Sequence, residues 1–73
     1  MRITKRPEER RAELVAAARL LFDRKGVDKT RVSDIVKHVG VAQGVFYYYF
    51  PSKSDIVAEV VRLVSSETRA NAE

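Results

Sequence analysis

Gly26, Gly40 and Pro51 cut this chain into short segments, and each segment spaces its apolar residues as a helix would, not as a strand. Leu14, Ala17, Ala18, Leu21 and Phe22 recur at i, i+3, i+4, i+7 and i+8, the stripe of an amphipathic helix. Pro7 suits a first helical position, Glu8 and Glu9 suit the positive end of the helix dipole, and Arg24 and Lys25 suit its negative end. With Gly26 as the stop, the pattern predicts a helix over about 7–25. Thr30 is placed to cap a second, shorter helix over about 31–38, with Val32, Ile35, Val36 and Val39 as its apolar stripe and Gly40 as its end. A third helix over about 42–50 is closed by Pro51. Ser52 and Asp55 have the spacing of a capping box for a fourth over about 53–66, where Ile56, Val57, Val60, Val61, Leu63 and Val64 are apolar. The β-branched residues of that last segment would also suit a strand, but the cap and the i, i+4 spacing favour helix. The expected fold class is all-α: a three-helix bundle with a fourth helix leading away. Residues 1–6 form a basic arm, and 65–73 a polar tail expected to fray.

The third segment carries the chemistry. Residues 40–53 read GVAQGVFYYYFPSK, three consecutive tyrosines between two phenylalanines. Successive helical residues are about 100° apart, so if Phe46 faces the core, Phe50 does too, and Tyr49 and Ala42 flank that face. Tyr47 then lies well off it, while Gln43, Gly44 and Tyr48 point away. Three tyrosines in a row cannot all enter one core. A short helix that shows solvent a glutamine, a glycine and two tyrosines, on a basic chain, has the character of a nucleic-acid reading surface; the alternative is a small core filled around a satisfied tyrosine hydroxyl.

The charge distribution agrees with that reading. The chain of 73 residues carries a net charge of +4. Residues 1–31 hold ten Lys/Arg against five Asp/Glu, whereas residues 32–73 hold four against five. A positive field concentrated at one end fits approach to a polyanion, although a solvated charged face would give the same count. Other function classes find little here. With no cysteine and one histidine, His38, there is no credible nucleophile–base pair or metal set, so neither enzymatic activity nor a cofactor is expected. No stretch approaches the ~18 apolar residues of a membrane span, no signal peptide opens the chain, and a cytoplasmic protein without a membrane partner is expected. A protein-interaction bundle is the competing reading.

Two short helices joined across Val39, Gly40 and Val41 have the form of a helix-turn-helix, in which the second helix enters the major groove. The run TRVSDIVKHVGVAQGVFYYYFPSKSDI resembles the DNA-binding domain of TetR/AcrR-family transcriptional repressors. Thr30, Asp34-Ile35, Gly40-Val41, Gly44, Phe46-Tyr47, Tyr49-Phe50 and Ser52-Lys53 match the family pattern in order and spacing, and Ala18, Phe22 and Gly26 match its first helix. Two positions depart from it. Ala42 stands where the family usually has a capping Ser or Thr, and Gln43 where Lys is frequent.

The resemblance implies a homeodomain-like bundle over residues 7–64 that binds double-stranded DNA, as the N-terminal part of a ligand-responsive repressor. It also implies a palindromic operator, a homodimer in the full-length protein, a largely monomeric short chain, and an effector small molecule held by a further domain. Val60, Val61, Leu63 and Val64 are expected to pack on that domain. The DNA-facing set expected on these grounds is Thr30, Arg31, Ser33, Gln43, Gly44, Val45, Tyr47, Tyr48, Tyr49 and Lys53, with Arg2, Lys5 and Arg6 as a minor-groove arm. Gln43 can pair with adenine N6 and N7. Thr30, Arg31 and Ser33 stand where helix-start N–H groups favour phosphate, and Tyr47 and Tyr48 can donate to phosphates. Lys53 falls in the first turn of a helix, where the dipole disfavours a cation, so it gains from a nearby anion. His38 is expected at a surface edge of the second helix.

Overall fold

The computed structural model of the protein describes residues 6–71. Four helices follow one another: α1 (Pro7–Lys25), α2 (Val32–Val39), α3 (Gln43–Tyr49) and α4 (Lys53–Asn71). No strand occurs among the described residues, so the fold is all-α. α1 packs on both α2 and α4, and α2 packs on α3. Arg2 and Lys5 lie outside the described residues.

The core gathers one stripe from each helix: Leu14, Val15, Ala17 and Ala18 from α1, Val32, Ile35 and Val36 from α2, Phe46 and Phe50 from α3 and its end, and Ile56 and Val60 from α4. Leu21, Phe22, Val39, Val41 and Tyr49 pack against it from the rim. Phe46 and Phe50, one turn apart, hold their ring centroids 5.6 Å from each other. Val60 therefore belongs to this core, not to a face awaiting another domain; Val61, Leu63 and Val64 are the residues of that segment left exposed.

Each helix ends for a local reason. Gly40 takes the left-handed conformation (φ +92°), and the N–H groups of Gly40 and Val41 both return to the Val36 carbonyl, at 2.7 and 3.0 Å. α2 begins one residue later than the sequence predicts. Its cap is Arg31, whose N–H donates to Asp34 Oδ2 at 2.9 Å, while Thr30 is drawn into the core. The third helix ends at Tyr49, with Phe50 extended before Pro51. At the start of α4, Ser52 Oγ donates to Asp55 Oδ2 at 2.8 Å, so the two side chains of the expected box meet each other directly.

α4 continues to Asn71 instead of fraying near residue 66. Nothing between Lys53 and Asn71 breaks a helix, and α4 is fastened along α1 by two ion pairs. Arg11 meets Glu59 at 3.3 Å, and eight residues on in both helices Arg19 grips Glu67 through two bonds of 2.6 and 2.7 Å. The fourth helix thus lies against the first. The hydrogen bond from Arg19 holds the Glu67 carboxyl below its ordinary range, and Glu67 correspondingly raises the Arg19 guanidinium.

Two outcomes follow for stability. Phe46 is fully enclosed, so Phe46→Ala should cost about 3–5 kcal/mol. That is comparable with the whole stability of a small domain, and urea denaturation followed by circular dichroism should find the variant largely unfolded. Glu67, whose folded pKa is depressed, stabilises the fold at pH above the ordinary carboxylate range and ceases to do so as pH falls through the folded value. Glu67→Gln should therefore lower the melting temperature at pH 7, and the gap from wild type should close as the pH falls below the ordinary carboxylate range and through the depressed folded value.

Candidate nucleic-acid interface

α3 has seven residues and buries only one of them completely. Phe46 points into the core, Val45 and Tyr49 are half-buried, and Gln43, Gly44, Tyr47 and Tyr48 are exposed. Tyr48 is 78% and Tyr47 48% accessible. Tyr47 meets Phe46 edge-on at 5.2 Å, and Tyr48 meets Tyr49 edge-on at 4.9 Å, so each outer ring is braced by an inner one. Ala42 occupies the N-cap and offers no side-chain cap bond. Neither acid nor base is present anywhere in α3.

The three glycines are held for different reasons. Gly26 and Gly40 have positive φ, which an L side chain rarely adopts. Gly44 does not, and a Cβ built on it would meet nothing within 4 Å. Neither its dihedrals nor its surroundings within this chain call for glycine, although glycine in a helix costs about 1 kcal/mol relative to alanine. A bare backbone on the exposed side of α3 leaves room for a partner to come close.

On α2, residues 100° apart in turn place Ser33 and Lys37 on one flank and Asp34 and His38 on the other. Asp34 also pairs with Lys25 of α1 at 3.1 Å, and His38 lines a groove with Ala16, Ala17 and Leu20 of α1, so that second flank faces α1. Ser33 and Lys37 are exposed. Arg31 is exposed at the cap, its N–H engaged by Asp34. That bond first, and Lys25 second, hold the Asp34 carboxyl below its ordinary range.

Two members of the expected DNA-facing set are engaged inside the fold. Thr30 is 0% accessible, and its hydroxyl donates to the Gly26 carbonyl at 2.8 Å. A buried hydroxyl needs such a partner, and Thr30 is withdrawn from any surface contact with phosphate; it closes the link between α1 and α2. Lys53 donates its Nζ to the Val27 carbonyl in that same link, at 2.6 Å. The anion-like partner that its place in the helix favours is thus a backbone oxygen, and two of its three N–H bonds are left over. Tyr49 is turned toward the core and supports Tyr48. Arg6, the described end of the arm, is the N-cap of α1, where its N–H donates to Glu9 Oε1 at 3.2 Å and its guanidinium stands 4.0 Å from Glu8.

Arg11 is a residue that sequence reasoning missed. Its guanidinium carbon stands 4.9 Å from the Phe50 ring centroid while the same group pairs with Glu59. It joins α1, the end of α3 and α4 at one point. Its position among alternating charges in α1 carries no signal of that role.

A glycine turn between two short helices, with the second helix anchored by Phe46 and showing Gln43, Gly44, Tyr47 and Tyr48 to solvent, defines a helix-turn-helix domain. The profile of the family described as "Bacterial regulatory proteins, tetR family" matches residues 14–60. The chain is 39% identical over 56 residues to the HTH-type transcriptional regulator YvdT of Bacillus subtilis, covering 77% of this chain and 29% of that protein. It is 36% identical over 59 residues to the regulator AcrR of Shigella flexneri (81% and 27% covered). It is 39% identical over 56 residues to the transcriptional repressor KstR2 of Mycolicibacterium smegmatis (77% and 27% covered). No solved structure matches the chain significantly. This chain belongs to the tetR family of bacterial regulatory proteins, and it spans less than a third of the length of these relatives. No helix among the described residues is long and apolar enough to cross a membrane.

Gly44→Ala should separate fold from function. With open space for the added methyl, it should leave thermal stability unchanged or raise it by up to about 1 kcal/mol. Fluorescence anisotropy with duplex DNA should show weaker binding.

Proposed function

We propose that this chain is the sequence-specific, double-stranded-DNA-binding unit of a ligand-responsive transcriptional repressor. The observation that carries the proposal is the outward face of α3, where Gln43, Gly44, Tyr47 and Tyr48 are exposed on a helix anchored by Phe46. A helix of this size fits the major groove, and family membership supports its use there. The repressor role draws on KstR2, a relative named as a repressor. Nothing in the reading calls for catalysis.

The roles divide by chemistry. Gln43 reads base edges, with Val45 and Tyr48 beside it. Ser33, Arg31 and Tyr47 meet phosphates and fix register. Lys53 meets a phosphate with the N–H bonds that Val27 leaves unused. Arg2, Lys5 and Arg6 follow the adjacent minor groove. In the full-length protein two such units act as a homodimer on a palindromic operator, their recognition helices about one helical turn apart. The exposed Val61, Leu63 and Val64 of α4 would face the effector-binding and dimerisation domain. A single unit presents few base-reading side chains, so it binds a half-site weakly as a monomer.

Anisotropy titrations over a range of salt concentrations test the reading. If about four phosphates are engaged, log K should fall against log salt with a slope of about −3.6. Lys53→Ala should weaken binding to all sequences alike, whereas Gln43→Ala should also relax preference at one or two base pairs, by about 1–3 kcal/mol. A flat salt dependence would refute DNA binding, and equal sequence dependence of the two variants would refute the division of roles.

A further inference from the structure

The absence of charge from α3 limits which bases it can read. Its seven residues are Gln43, Gly44, Val45, Phe46, Tyr47, Tyr48 and Tyr49. Guanine shows the major groove two acceptors, N7 and O6, and the side chains that meet both are Arg and Lys. Cytosine shows an amino donor, which Asp and Glu accept. α3 has none of these four residue types. Adenine shows an acceptor beside a donor, which a carboxamide matches with both its groups, and thymine adds a methyl that apolar side chains meet. Gln43 is exposed at the first position of α3, and Val45 is half-exposed two residues on.

The cations of the flanking elements, Arg31 at the cap of α2, Lys37 within α2 and Lys53 at the start of α4, stand outside α3. Lys53 Nζ is held 2.6 Å from the Val27 carbonyl. Arg31 is the cap of α2, the helix that in this motif crosses the backbone and does not lie in the groove. Gly44 lowers the surface between Gln43 and Val45, and its missing side chain leaves open space. That lets a short carboxamide and a short apolar side chain, neither with the reach of arginine, come within contact of base edges.

We propose that the base pairs beneath α3 in its operator are A·T, recognised by the Gln43 carboxamide on adenine and by thymine methyl groups against Val45 and Tyr48. This rests on the DNA-binding reading above and adds the composition of the site. Any guanine recognised through its N7 and O6 then lies outside the α3 footprint.

The test is in vitro selection of duplexes on the 73-residue chain at low salt, followed by anisotropy titrations of defined variants of the selected site. The α3 footprint is defined as the positions whose preference changes in Gln43→Ala or Tyr48→Ala. Within it, exchanging one A·T for G·C should weaken binding roughly 5- to 150-fold. Replacing thymine by deoxyuridine, which removes only the methyl, should weaken binding at one or more positions. Methylating guanine N7 should interfere only outside the footprint. Selected guanines inside the footprint whose N7 methylation abolishes binding would overturn the proposal while leaving DNA binding intact. So would indifference to deoxyuridine at every thymine. Absence of any salt-dependent DNA binding would overturn this proposal together with the reading on which it rests.

Discussion

A helix of seven residues has too few hydrogen bonds to hold itself in water, so α3 exists only because it is anchored. The anchor is Phe46, enclosed on all sides, with Phe50 one turn on and nearly as deep. Once those two rings are fixed, helical geometry turns Gly44, Tyr47 and Tyr48 away from them, and Gln43 is exposed at the first position of the helix. The outward face is a consequence of where two phenylalanines are buried. Ala42 reinforces that dependence, since a cap without a polar side chain adds nothing to the helix from its own end.

The frame that receives those rings is tied at several separate places. Thr30 and Lys53 both donate to carbonyls of the α1–α2 link, from Gly26 and Val27. Lys53 begins α4, so this bond carries the end of the helix-turn-helix back to its beginning. Arg11 lies over Phe50 and pairs with Glu59, joining α1 and α4 to the residue that closes α3. The Arg19–Glu67 pair extends the fastening further along α1 and α4. Exposed ion pairs of this kind are weak singly. Here they matter by direction, because each resists a displacement of α4 relative to the helices that hold α3.

Much of this was legible in the sequence, for identifiable reasons. Gly26, Gly40 and Pro51 are local signals whose meaning depends on few distant residues, and α1, α2 and α3 end within two residues of them. The wheel through Phe46 separated Gly44, Tyr47 and Tyr48 from the core face, since over so short a helix 100° per residue accumulates little error, whereas Ala42, expected to flank that face, is exposed. What was not legible came from contacts between distant residues. Thr30 reads as a cap because threonine ordinarily is one, and only the packed structure shows Asp34 taking over the cap and Thr30 turning inward to Gly26. Lys53 invites an anion, and nothing local says that the Val27 carbonyl, 26 positions away, supplies the contact. The far end of α4 reads as a fraying tail because Glu67 meets Arg19 across 48 positions.

The distribution of charge around α3 separates two tasks that DNA recognition requires. Cations hold a protein to any duplex, and their pull is nearly indifferent to sequence. Were they on the reading helix, attraction to phosphate would compete with alignment on base edges. Here the cations among the described residues stand on α1 and its N-cap, on α2, in the link between them and on α4, while α3 carries no charge. Discrimination then falls to one carboxamide, tyrosine hydroxyls and apolar contacts, which are weak unless the geometry is held closely. That is why the rigidity of the frame and the specificity of the face are one problem: a neutral reading helix can distinguish bases only as well as Phe46 and Phe50 fix its position.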